Sequence, residues 1–572
     1  MHLGLPTRSV HGLPVIEHAE FGRNAPVETI NEQDRMELGR IYHMGQAEAT
    51  KLFLDRQAMT SHTFVTGSTG TGKSNAVCRL LDEITKDGKT TFLVVEPAKG
   101  EYKNVFGNCT DVQVFGTNPR ETPLLRMNPF AFPENIHILE HIDRLVEIFN
   151  ACWPMYAAMP AVLKDAIERS YQKVGWNLRN SESEKGVFPT FFDLLDILPG
   201  VIEESHYSKD TQSDYVGALC TRVKSLTNGI YGSVLCAEDA LTDEALFDRN
   251  VIVDLSRVGS METKSLLMGI LVMKLQEYRM CSSGMNSRLR HVTVLEEAHN
   301  LLRKTSAEQS QEGANLQGKS VEMLANAIAE MRTYGEGFII ADQAPGLLDM
   351  SVIRNTNTKI ILRLPDEEDR KLVGKSAALK EAQIDELSKL PLGVAAVYQN
   401  EWPEAVLCKI EAYPMPENAV YHKPSKMPHE INAEFVFGQL AVGKELEPLS
   451  ISEMEQLKLW LKRHETVLKP EDDRYLERVF AGGELDVAKT RKAVFDFFGG
   501  IGTVVDYCAA AKKSLTPRKE FLEQLQGQYG LKAAAADWVL NSVISMGMSL
   551  NPDAKAVDNL RTNFEQQGGR VL

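Results

Sequence analysis

Eight consecutive residues, Gly67-Ser68-Thr69-Gly70-Thr71-Gly72-Lys73-Ser74, match the pattern G-x-x-x-x-G-K-[ST] in full. They stand where that pattern has physical meaning. The apolar, β-branched stretch Phe64-Val65-Thr66 runs into them, and Val77, Leu80, Leu81 and Ile84 follow at helical spacing. The glycines let the backbone curl until successive N–H groups face one point. The positive end of the following helix adds to the pull on a phosphate. The predicted ligand is ATP with Mg²⁺, Lys73 neutralising phosphate charge and the Ser74 hydroxyl ligating the metal. A glycine turn arising by chance would need neither the strand before it nor the amphipathic helix behind it.

A phosphate loop that supports hydrolysis needs an acid at the end of a neighbouring strand to hold the metal, and often a second to orient water. Val292–Leu295 followed by Glu296-Glu297-Ala298-His299 supplies both, Glu296 on the metal side and Glu297 on the water side. Asp254, ending Val251-Ile252-Val253, and Glu96, ending Thr91–Val95, are rival acids without a second carboxylate adjacent. These runs, with Phe338-Ile339-Ile340 and Ile360-Ile361-Leu362, are continuously apolar, as strands buried on both faces are. Separated by helical stretches, they predict an α/β fold with a mostly parallel sheet. Further strand signal lies at Gly393–Tyr398 and Ala405–Lys409. Between about 126 and 245 the strand signal gives way to helical stretches at His137–Phe149, Ala161–Val174 and Asp214–Leu226, read as an insertion. Arg303–Ser320 is polar and reads as a loop, and beyond about 430 the pattern is helical.

Composition narrows the class. The 572 residues exceed one domain, and 43% hydrophobic with 25% charged is ordinary for a globular chain. The net charge of −15 argues against a surface coated in positive charge, yet a groove or ring needs only a local basic lining. Eight cysteines without a Cys-x-x-Cys pair fit reduced, mostly buried thiols rather than a disulfide scaffold or zinc site. No apolar run is long enough to span a bilayer, so a cytoplasmic protein without membrane insertion is expected.

The loop, then Val94-Val95-Glu96-Pro97-Ala98-Lys99-Gly100-Glu101-Tyr102, Leu295–His299, Arg332-Thr333-Tyr334-Gly335 and Ala341-Asp342-Gln343 occur in one order. That series resembles the HerA branch of the HerA/FtsK translocase superfamily over roughly residues 35–415. The resemblance implies a RecA-like core, a homohexameric ring with ATP between subunits, and double-stranded DNA in the channel. The expected divisions of the chain are an extended leader or short strands at 1–55, the remnant of an N-terminal region, core at 56–125 and 246–415 around the insertion 126–245, and a mostly helical region at 416–572. Arg332 matches an arginine that reaches across the subunit interface to the γ-phosphate, and Gln343 a polar residue that senses it. Arg363 is a second arginine candidate, and Glu96 and Glu101 match acids that support the site. A nuclease or effector partner is implied, and the Glu96–Lys103 run is closer to the anti-phage group than to the archaeal repair group.

Departures from the pattern accompany the likeness. Glu296 stands where an aspartate is commoner, a methylene that a water-mediated metal contact tolerates. Ser61 replaces a basic residue ahead of His62. About 55 residues precede the ATPase, too few for the N-terminal β-barrel of relatives plus a linker, so the expectation is either a fragment of a longer protein or a shortened lineage, which bears on partner docking. His137-Ile138-Leu139-Glu140-His141 fits a zinc-protease pattern, but a third ligand has no evident home. Lys512, Lys513, Arg518 and Lys519 read as a solvated helix end, and Arg303–Ser320 is a candidate DNA-facing loop. The other function classes that share these motifs are a conjugation or secretion ATPase and a nucleotide-dependent scaffold ring.

Overall fold

The structure is a computed structural model of the chain. It describes residues 18–423, apart from 156–157, 184–186, 238–239, 306–315 and 415–418, and then 474–475, 478–479 and most of 486–571. An eleven-stranded sheet organises it. In chain order the strands are β1 (Arg35–His43), β2 (Gln46–Asp55), β3 (Thr63–Thr66), β4 (Thr91–Glu96), β5 (Val112–Gly116), the short hairpin pair β6 (Trp176–Asn177) and β7 (Glu182–Ser183), β8 (Asn250–Asp254), β9 (His291–Glu296), β10 (Glu336–Asp342), β11 (Thr358–Ile361), β12 (Val394–Tyr398) and β13 (Val406–Ile410). All but β6 and β7 join the main sheet, in the order β2-β1-β13-β12-β11-β3-β10-β9-β4-β8-β5. The seven strands from β11 to β5 are parallel, and the four from β2 to β12 are antiparallel. The sheet is therefore α/β and mostly parallel.

The continuous apolar runs are explained by burial on both faces. Alternate residues divide between two cores: Phe64, Leu93, Val253, Leu295 and Phe338 point to one, Val65, Val94, Ile252, Val294 and Ile339 to the other. The helix Lys73–Thr85 covers the second face with Ala76, Val77, Leu80, Leu81 and Ile84. The first face is covered by Met261–Ser282, Leu316–Glu330 and the insertion, whose helices include Ile138–Cys152, Met159–Lys173 and Phe191–Glu204.

Three strands differ from the sequence expectation. Residues 35–55, read as extended leader or short strands outside the core, form the hairpin β1–β2, and β1 pairs with β13 in the core sheet. Met36 and Leu38 alternate inward, but register shifts at Glu37/Gly39 and Arg40/Tyr42 break the alternation, and half of β2 is exposed. β5 is a five-residue edge strand with no long apolar run. The expected loop 303–320 lies partly outside the described residues, and its end is already helical from Leu316. Beyond 486 the described elements are helices that pack on one another through Phe495, Tyr507, Phe521, Leu540 and Phe564. Among the described residues no helix is long and apolar enough to cross a membrane. All eight cysteines are free thiols, Cys78, Cys152, Cys236 and Cys408 buried and Cys109 exposed.

Candidate active site

Register brings the motifs to one edge of the sheet. Asp342 of β10 and Ile361 of β11 both lie level with Thr66, and Glu296 of β9 is level with Ala341. The segments that follow β3, β9, β10 and β11 therefore emerge side by side, where a mostly parallel sheet places its ligands. The loop Gly67–Ser74 wraps the start of the helix Lys73–Thr85, with Gly70 at φ +76° and Gly72 at φ +104°, values that glycine adopts at little cost. A Cβ on Gly67 would lie 2.7 Å from both Leu362 Cβ and Thr71 Oγ1, so the loop closes tightly on its neighbour strand. Ser68 N–H donates to the carbonyl of Arg363 (3.1 Å), and Thr71 Oγ1 donates to the Ser68 carbonyl (2.7 Å).

Lys73 is 7% exposed, and its Nζ lies 3.0 Å from Glu296 Oε2 and 2.8 Å from Glu297 Oε1. Burial works against its charge, but the two carboxylates outweigh it and hold the ammonium above the ordinary lysine range. The fully buried Tyr102 hydroxyl donates to the other oxygen of Glu296. Glu297 has φ +44°, a left-handed conformation that a glutamate adopts only when its surroundings impose it. They do: Gln343 Nε2 donates to its Oε1 and His299 Nδ1 lies 3.6 Å from its Oε2. Thr69 Oγ1 donates to Gln343 Oε1 (2.6 Å), so Gln343 bridges the tip of the loop and Glu297. His299 in turn donates from its backbone N–H (2.8 Å) and pairs through Nδ1 (2.9 Å) with the buried Asp342. The Asp342 hydrogen bond, opposed by partial burial and aided by charge, raises the His299 pKa.

The other acids fall into place around this core. Ser74 Oγ donates to Glu101 Oε2 (3.2 Å). Glu96 accepts the backbone N–H groups of Glu101 (2.7 Å) and Tyr102 (3.2 Å), and burial pushes its carboxyl up to about 7. Asp254 is committed to Lys103 at 2.6 Å, which fits a structural acid. The hard oxygen donors of Ser74, Glu296 and Glu101 around a glycine cradle are the kind that Mg²⁺ and a triphosphate require.

The two arginines stand at opposite edges. Arg363 follows β11 beside the loop and offers its carbonyl to Ser68. Arg332 lies in the turn Met331–Tyr334 ahead of β10, exposed and without an ion-pair partner among the described residues. β10 has seven residues, so its start and its Asp342 end are separated by roughly 20 Å at about 3.3 Å per step. Arg332 cannot touch the phosphate loop of its own chain. The zinc-like pattern is taken up elsewhere: His137 caps its helix by accepting the Leu139 N–H (3.2 Å), and His141 is buried against Glu277 (2.9 Å). Tyr102, His299 and Asp342 lie inside the sequence motifs, and only their proximity in the folded chain reveals an individual role.

The family model described as "Helicase HerA, central domain" matches residues 36–274, from β1 through the phosphate loop and the insertion. Over that region the chain is similar to the HerA/FtsK-like superfamily. Curated relatives are consistent with this. The DNA double-strand break repair helicase HerA of Sulfolobus acidocaldarius is 25% identical over 399 residues, covering 66% of this chain and 71% of that protein. The protein of that name from Sulfurisphaera tokodaii is 21% identical over 412 residues, covering 71% and 74%. Among solved structures, VirB4 of Thermoanaerobacter pseudethanolicus shares the fold with a TM-score of 0.50 at 18% identity, covering 67% of this chain and 98% of that one. With this similarity and an intact phosphate loop, the chain is a P-loop ATPase.

Proposed function

We propose that this ATPase is a motor that moves along double-stranded DNA as a homohexameric ring, with a nuclease or effector partner in DNA-end processing or anti-phage defence. The observation that carries the reading is the division of the site. Lys73, Glu296, Glu297 and Gln343 are assembled at the loop, while the exposed Arg332 stands at the far edge of the sheet. An arginine so placed acts on nucleotide only by reaching a second copy, which is the geometry of a ring with ATP between subunits.

Chemically, phosphate oxygens compete with Glu296 and Glu297 for the Lys73 ammonium, so a bound triphosphate frees Glu297. That carboxylate, its direction fixed by Gln343 and by the turn at His299, orients the attacking water. Glu296, steadied by Tyr102, would with Ser74 hold Mg²⁺, which when bound would neutralise phosphate charge. Gln343 spans Glu297 and Thr69, so loss of the γ-phosphate changes both of its contacts and passes the event into β10. Native mass with ATP tests the assembly: about six subunits are expected for the wild type and for Arg332→Ala. A monomer under all nucleotide conditions would contradict the ring.

A further inference from the structure

The turn that carries Arg332, Met331–Tyr334, is fixed to its neighbours by backbone and side chain together. Ser287 N–H donates to the Thr333 carbonyl (3.2 Å) and Arg290 N–H to the Gly335 carbonyl (3.0 Å). Gly335 has φ +76°, and a Cβ there would stand 2.3 Å from the Arg288 carbonyl oxygen, so glycine is what lets the two segments meet. The next residue, Glu336, opens β10 with a fully buried carboxylate. His291 Nδ1 lies 2.8 Å from its Oε1, Thr293 Oγ1 donates to the same oxygen (2.8 Å), and Arg279 Nε donates to Oε2 (2.9 Å). Arg279, also fully buried, comes from the last turn of the helix Met261–Ser282 and donates onward to Asp248 Oδ1 (2.7 Å) and the Phe247 carbonyl. Burial works against the charge of Glu336, but His291 and Arg279 outweigh it and hold its carboxyl down at about 2. A buried ion pair adds little stability over apolar side chains of similar volume; its gain is a single permitted arrangement. This cluster lies at the start of β10, roughly 20 Å from the phosphate loop and directly behind the Arg332 turn.

We propose that Glu336, gripped by Arg279, is a positioning residue for ATP hydrolysis: it fixes the start of β10 and so aims Arg332 at the nucleotide of a neighbouring copy. The inference rests on the inter-subunit reading of Arg332 and adds to it the device that holds the arginine in place. On the full chain, Glu336→Gln is expected to keep the ATP affinity and the native mass of the wild type. Its turnover should fall roughly tenfold, since a displacement of about 1 Å costs up to 10²-fold. Thr293→Val removes one donor to the same carboxylate and should slow turnover roughly threefold, the scale of one hydrogen bond. Mixing separates aim from a defect inside the variant's own site. Lys73→Ala subunits bring an intact Glu336 and Arg332, so adding them should restore turnover to either variant, whereas subunits carrying both Lys73→Ala and Glu336→Gln should not. Wild-type turnover in both variants overturns the proposal, and so does a loss that Lys73→Ala subunits do not relieve. Should Glu336→Gln fail to fold, Thr293→Val alone decides. Arg332→Ala in the same mixtures tests the underlying reading. If it turns over at the wild-type rate or is not relieved, that reading falls and the proposal with it; if it is relieved and the Glu336 and Thr293 variants are not, only the proposal falls.

Discussion

Glu297 is held on three sides, by Lys73, Gln343 and His299, in a backbone conformation that a glutamate does not choose for itself. Such constraint suits a group whose direction matters more than its presence. Glu297→Gln keeps the shape and the Gln343 contact but removes the charge. It is expected to retain ATP and to lose turnover by roughly 10²-fold or more, read from single-turnover hydrolysis beside a binding measurement. Loss of binding together with turnover would mean that Glu297 shapes the loop instead. The loop and the acid pair were legible in sequence because each is a contiguous string beside an apolar run. The contacts of Tyr102 with Glu296 and of His299 with Asp342 were not, since they join residues 194 and 43 positions apart. Only β-sheet register brings those together.

At the scale of elements, β10 and β11 carry consequences that their strand character alone did not. β10 spans the sheet with Gln343 just beyond one end and Arg332 just ahead of the other, so one strand links the site to an exposed arginine at the opposite edge. β11 holds Lys359, 2% exposed with no carboxylate partner among the described residues, its ammonium donating to the carbonyls of Ile353 and Thr356 and to Thr356 Oγ1 (2.8 Å). Burial pushes its pKa down to about 7. Because the folded pKa lies below the unfolded one, the unfolded chain binds more protons between the two, and stability rises with pH over that window. Wild-type Tm, compared with that of Lys359→Met, should gain on the variant as pH rises from 7 toward 10; a constant difference would contradict a neutral buried lysine. The apolar runs made the parallel strands readable. β1, β2 and β5 escaped because bulges, exposure and shortness erase their period.

For the whole molecule, the two-edged arrangement predicts complementation between copies. Arg332→Ala alone should assemble and hydrolyse at least roughly tenfold more slowly. Mixed with Lys73→Ala subunits, it should regain turnover at interfaces where an intact Arg332 meets an intact loop. An unchanged rate in Arg332→Ala would take the residue out of the mechanism. The net charge of −15 gives little sign of DNA binding, which makes DNA dependence the sharper question. The most direct measurement is steady-state ATP turnover with and without duplex DNA, on the wild type and on Lys73→Ala. Duplex DNA should stimulate turnover, and Lys73→Ala should abolish it. A wild-type protein that neither retains nor hydrolyses ATP, with DNA or without it, would contradict it.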